Sequence, residues 1–184
     1  MILSKEDYNY YLERDKAALH IKRKKPRFMH DIIWTFQRSL RRCEYIENCK
    51  KGPFWKLVGK FCKLHYVYLS HKLGFSIGFN VFGPGLAIAH YGYLVVNGFA
   101  RVGENCRIYE GVTIGDRSDG GPAAEIGNNV LIGTGAKIIG GVSIADNVAI
   151  GANAVVVKNI TEPNTSWAGN PAKKISNKGS SQFL

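Results

Sequence analysis

The sequence reads as a mainly β protein, a parallel β-helix built from six-residue repeats and preceded by an α-helical segment. Three observations predict it. Aliphatic residues recur every six positions through most of residues 81–160, the period of amphipathic helices governs residues 1–73, and the charge divides at the same boundary. Residues 1–72 hold 17 Lys and Arg against 7 Asp and Glu, whereas residues 73–184 hold 8 against 7. The chain therefore divides into a helical segment (1–73), a β-helix (74–175) with a loop at 115–125, and a tail (176–184).

In the helical segment, Ser4 is placed to cap a first helix through the stretch SKED, with Asp7 standing where a capping box usually has Glu. Tyr8, Leu12 and Leu19 then keep close to one face. Asp31 is placed to cap a second helix. Its inward stripe is Ile32, Phe36, Leu40, Cys43 and Ile46, and Arg38, Arg41 and Arg42 lie off that stripe. Gly52 and Pro53 end it. A third helix over residues 54–73 sets Leu57, Val58, Phe61 and Leu64 as its buried side against Lys56, Lys60 and Lys63. The excess of cations reads first as a solvated helix surface and second as weak peripheral attraction to an anionic membrane. No nucleic-acid partner is expected.

From residue 102 the repeat is explicit. The first positions of successive hexads are Val102, Ile108, Ile114, Ile126, Ile132, Ile138, Ile144, Ile150 and Val156, all β-branched and aliphatic. The fifth positions, Cys106, Val112, Val130, Ala136, Val142, Val148, Ala154 and Ile160, are small or aliphatic. Three such hexads close one triangular coil, so first positions stack inside as ladders while Gly and Asn take the corners that β-branched residues resist. One coil buries too little alone; stacked coils share a core. Residues 115–125, GDRSDGGPAAE, interrupt the ladder, yet Ile126 resumes it in register. This is an excursion from a coil, and long loops on regular scaffolds tend to carry function.

No run of about 18 uncharged apolar residues occurs, and the opening MILSKEDYNYYLERDK has neither a basic start nor an apolar stretch. A cytoplasmic location is expected, with at most peripheral contact at the inner face of a membrane. The four cysteines show no metal-finger or disulfide-framework spacing, and past residue 72 the only histidine is His90, so no metal is expected. His90 lies in GLAIAHYG among small and apolar residues. Counting back in sixes from Val102 assigns it an inward position, where an unpartnered imidazole would cost about 1–3 kcal/mol. The register is therefore expected to lapse there, with Gly85 and Gly92 giving room to turn the ring outward.

With the repeats, GLAIAHYGYLVVN, the Gly-rich loop and the closing AGNPAKKI in view, residues 75–175 resemble the serine acetyltransferase family of hexapeptide-repeat acyltransferases, most of all its members associated with surface-polysaccharide O-acetylation. The opening SKEDYNYYLERDKAAL resembles that group as well. The resemblance implies a left-handed β-helix, a homotrimer or hexamer, acetyl-CoA as donor, and direct acetyl transfer to a hydroxyl with His90 as general base. It places Gly115, Thr134, Ala152, Lys173 and Lys174 along the donor, and offers Glu110, Asp116, Arg117 and Asp119 as contacts to the acceptor, Glu110 also as a partner that orients His90. The family's serine-specific enzymes carry an aspartate ahead of the first coil, where this chain has Ser76 or Gly78, and a second histidine in the loop, where GDRSDGGPAAE has none. On those departures a saccharide acceptor ranks first and L-serine second. The non-enzymatic alternative is a trimeric scaffold with basic membrane- or nucleic-acid-binding helices, which would have no use for the histidine.

Overall fold

The computed structural model describes residues 1–27, 30–116 and 121–182. Three helices come first, α1 (Lys5–Ala18), α2 (Ile32–Cys49) and α3 (Pro53–Leu73), and short strands follow from Phe75. α1 is capped as expected: Ser4 Oγ accepts from the Asp7 N–H at 2.9 Å, and the Asp7 carboxylate accepts from the Leu3 N–H at 2.9 Å. Asp31 stands at the N-cap of α2 without capping it. Its carboxylate turns back to the Arg23 guanidinium and to the Arg27 N–H at 2.6 Å, because two arginines outbid a helix N–H for a charged oxygen.

Two helix faces differ from the sequence reading. Phe36, Leu40, Cys43 and Ile46 are buried as expected, but so is Arg41, which is completely enclosed. Its guanidinium donates to Asp15 at 2.8 and 3.2 Å, to Glu44 at 3.1 Å, and to the carbonyls of Phe82 at 2.9 Å and Gly83 at 2.7 Å. A periodicity count scores arginine by type and cannot see that every charge has a partner. Burial opposes the Arg41 charge, yet the Asp15 and Glu44 carboxylates outweigh it and hold the guanidinium above its ordinary pKa. On α3 the expected buried side is largely exposed: Leu57, Phe61 and Leu64 face outward and Val58 is half-buried, while Cys62, Tyr66, Leu69 and Leu73 pack inward. The helix has apolar residues on two faces. Packing of Phe36 and Phe79 on Tyr66, whose hydroxyl donates to the Ile77 carbonyl, selects the second.

The remainder is a parallel β-helix, as the repeat predicts. One sheet runs Phe75–Ile77, Leu94–Val96, Thr113–Gly115, Lys137–Ile139 and Val155–Val156; a second runs Arg101–Val102, Glu125–Ile126 and Ser143–Ile144. The third stacks Ala87–Ile88, Arg107–Ile108, Leu131–Ile132, Ala149–Ile150, Ser166–Ala168 and Lys173–Ser176, parallel except for the last pair. All nine first-position residues and all eight fifth-position residues are buried, and together they form one continuous core with the inner faces of α2 and α3. The excursion at 115–125 joins the first sheet to the second without disturbing the pairing of Val102 with Ile126.

One corner of the helix is held by an amide ladder. Asn105, Asn129 and Asn147 all take positive φ, between 54° and 60°, and each side-chain amide donates to the next, at 2.8 and 2.9 Å. Asparagine tolerates this left-handed turn and supplies the hydrogen bonds that the corner backbone leaves to side chains. Arg14 of α1 extends the ladder by donating to Asn105 at 2.6 Å. The segment read as a tail is docked on the same corner: Ser180 is buried, its N–H donates to Asn147 O at 3.0 Å, and its hydroxyl donates to Asn129 O.

Candidate active site

The third sheet aligns the predicted site residues. Ile88, Ile108, Ile132 and Ile150 pair in register and point into the core. The ladder continues one residue further, with the N–H groups of Ala89, Tyr109 and Gly133 donating to the carbonyls of Ile108, Ile132 and Ile150 at 2.8–3.1 Å. One residue beyond that stand Glu110, Thr134 and Ala152, a row climbing one corner one coil apart, with Gly135 donating to Glu110 O and Asn153 to Thr134 O. In the coil above, Tyr93 O accepts from Gly111, and His90 bows out of the register three residues earlier. Successive coils rise about 4.8 Å, the spacing of hydrogen-bonded strands.

His90 leaves the core as expected. Ile88 and Val96 are eight residues apart, whereas Ile108 and Ile114, or Ile132 and Ile138, are six apart. The two surplus residues let the chain bow out, and His90 is exposed with its ring centroid 6.0 Å from that of Tyr109. Gly92 makes the return possible. Its φ is +137°, and a Cβ there would lie 3.1 Å from Glu110 Cβ. Upstream, the segment is clamped by the helices: Asp15 accepts from the N–H groups of Gly85 and Leu86, both at 2.9 Å, and Gln37 donates to Leu86 O at 2.6 Å.

Glu110 carries the most informative polar atom of the site. Its Oε2 is buried and has no hydrogen-bond partner among the described residues. An unpaired buried carboxylate oxygen is costly, so it fits a donor that a bound state supplies. Further along the row, Thr134 and Ala152 line a cavity of about 350 Å³ with Tyr109, Gly133, Trp167 and Ile175. The small residues are required: a Cβ on Gly133 would lie 2.8 Å from Ala152 N. Lys173 and Lys174 sit at the far end, opposite Ala168 and Trp167, and Lys174 is already paired with Glu162.

The other predicted residues are not brought to this row. Gly115 ends a strand of the first sheet and Asp116 follows it, so both stand at the next corner of the same chain. Arg117 and Asp119 lie outside the described residues. Of the cavity lining only Thr134 and Ala152 were foreseen, and the missed residues include both of its aromatics, Tyr109 and Trp167. Tyr109 follows an inward isoleucine, where the other coils have Gly133 and Gly151, and that departure from a small residue was the available signal. Cys106 is fully buried and its thiol is pushed up to about 12 by burial, so it remains a protonated core residue rather than a nucleophile. Among the described residues no group of three His, Cys, Asp or Glu side chains could hold a metal ion.

Residues 123–158 match the family model for the bacterial transferase hexapeptide (six repeats). A chloroplast serine acetyltransferase of Arabidopsis thaliana is 44% identical over 98 residues, which are 52% of this chain and 31% of that protein. This chain thus spans about a third of that relative's length. Among solved structures, a serine acetyltransferase from Brucella abortus in complex with coenzyme A superposes with a TM-score of 0.76 at 26% identity, covering 95% of this chain and 70% of that one. The serine complex of the Neisseria gonorrhoeae serine acetyltransferase superposes with a TM-score of 0.71 at 25% identity, covering 95% and 71%. These relatives support the serine acetyltransferase side of the resemblance and not its polysaccharide side. By repeat, by fold and by homology, the β-helix of this chain is similar to the bacterial hexapeptide transferases, and the relatives and solved structures named here are serine acetyltransferases.

Proposed function

We propose that the chain is an acetyl-CoA-dependent O-acetyltransferase with His90 as general base. The observation that carries this reading is an exposed imidazole bowed out of the coil above Glu110, whose Oε2 has no partner among the described residues, with a cavity beyond it in which Gly133, Thr134 and Ala152 lie between Tyr109 and Trp167. In this reading His90 takes the proton of an acceptor hydroxyl as that oxygen attacks the thioester carbonyl, and a backbone N–H steadies the oxyanion. Collapse of the tetrahedral adduct breaks the C–S bond, and the CoA thiolate receives the proton from His90. In this reading the His90 ring, which makes no hydrogen bond to Glu110 among the described residues, turns onto the unpaired Glu110 Oε2 when the acceptor binds, and that contact fixes which nitrogen faces the acceptor.

The donor's narrow arm lies along Thr134 and Ala152, where only small side chains let it approach the backbone. Lys173, which has no ion pair among the described residues, offers its cation to the donor's phosphates, and Lys174 joins by exchanging Glu162 for them. Gly115 and Asp116 reach this ligand from a neighbouring copy in a homotrimer, which accounts for their place at another corner.

For the acceptor, the relatives reverse the ranking drawn from sequence. L-serine is favoured, since the matched homologues are serine acetyltransferases and one neighbour is a serine complex. A saccharide hydroxyl is the second reading, and the absence of histidine from residues 115–125 favours it. The test is thiol release from acetyl-CoA with L-serine and with a sugar panel, for wild type and His90→Ala. The variant should lose about 10²- to 10⁴-fold in kcat. Equal release by both proteins, with neither binding CoA, ends the reading; turnover of a sugar but not of L-serine reverses the acceptor.

A further inference from the structure

The outward face of α3 is apolar where a solvated helix would be polar. Phe54, Leu57, Phe61, Leu64 and Tyr68 are each more than half exposed. Their spacing of three and four residues puts them on one stripe, about 21 Å long at 1.5 Å per residue. Lys56, Lys60 and Lys63 are exposed along one edge of the stripe. On the other edge a cavity of about 490 Å³ between α2 and α3 joins Phe61 to Arg38 and Arg42. No Asp or Glu occurs anywhere from residue 48 to residue 103, and of the flanking cations Lys63 is paired, with Glu47 at 3.2 Å.

We infer that this face docks on an anionic lipid surface, with the apolar stripe in the headgroup boundary and the flanking cations on lipid phosphates. Charge decides between the occupants. A second copy laid on the stripe would set Lys56, Lys60, Arg38 and Arg42 against their own duplicates, with Glu47, already held by Lys63, the one carboxylate beside them among the described residues. A phosphodiester chain would satisfy the cations and leave five exposed apolar side chains without a partner. An anionic bilayer satisfies both, which is the arrangement of an interfacial amphipathic helix. Among the described residues no helix is long and apolar enough to cross a membrane, so the contact lies in the plane. The inference is independent of the acetyltransfer reading.

The experiment is co-sedimentation of the full chain with vesicles of phosphatidylcholine alone and of phosphatidylcholine mixed equally with phosphatidylglycerol. Binding to the mixed vesicles should exceed binding to the neutral ones by about tenfold or more, and fall with added salt. Leu57→Ser/Phe61→Ser should abolish it, and Lys56→Glu/Lys60→Glu should weaken it at least tenfold, both with unchanged thermal melting because the altered side chains are exposed. Absence of binding to either vesicle, equal binding to both, or wild-type binding by either variant overturns the proposal. So does a light-scattering mass that halves in the apolar variant while wild type ignores the vesicles, since that assigns the stripe to a second copy.

Discussion

Replacing Arg41 by Met tests the clamp that ties the helices to the first coil. Methionine fills most of the stem's volume but removes five hydrogen bonds and the only cation paired with Asp15 and Glu44 among the described residues, where those carboxylates are 2% and 1% exposed. Two carboxylates are then left buried with no counterion, and breaking a buried pair in this way costs about 3–5 kcal/mol. In a chain of this length 1 kcal/mol moves the melting temperature by about 2–4 °C, so the expected drop is roughly 6–20 °C. Urea unfolding followed by near-ultraviolet circular dichroism gives the free energy, and a thermal melt gives the shift. The triple variant Arg41→Met/Asp15→Asn/Glu44→Gln should recover more than half of the loss, because neutral amides still accept from Gly85, Leu86 and Asn80. A loss below about 1 kcal/mol in the single variant, or a triple variant no better than the single, would refute the reasoning.

Glu110→Gln should lower kcat by roughly tenfold or more while KM for acetyl-CoA changes less than about twofold, with partial recovery in Glu110→Asp. A KM effect alone would make Glu110 a binding residue instead. Burial pushes the Tyr66 phenol from 10.0 up to about 12, so the folded state resists ionisation that the unfolded state permits. The stability held by the neutral phenol is complete below pH 10.0 and is lost as pH rises toward about 12, up to roughly 3 kcal/mol in all. Urea midpoints measured across that range should fall in wild type and stay flatter in Tyr66→Phe, which starts lower by about 1 kcal/mol for the lost bond to Ile77.

The β-helix was legible because its information is redundant. Nine ladder positions vote for one period, and no single residue has to be read correctly. His90 was legible for the opposite reason, as the one polar exception to that period, and the same arithmetic located its escape from the core. Arg41 and the outward stripe of α3 were not legible, because each depends on what lies across a tertiary contact. Arginine looks solvated until two carboxylates are seen beside it, and a helix with two apolar faces does not say which one the core takes. Gly115 and Asp116 were named with His90, yet a single chain puts them at different corners.

The two surplus residues that free His90 also give the molecule an origin of measurement. Successive coils are near-copies, and a groove running across them would let a long ligand slide by one rise without changing its contacts. The bowed segment breaks that symmetry at one end and the terminal lysine strand breaks it at the other. Ala152 then lies two rises from Glu110, about 10 Å at the spacing of paired strands. In the proposed reading, the number of coils between the two ends sets the reach of the bound ligand, counted in repeats.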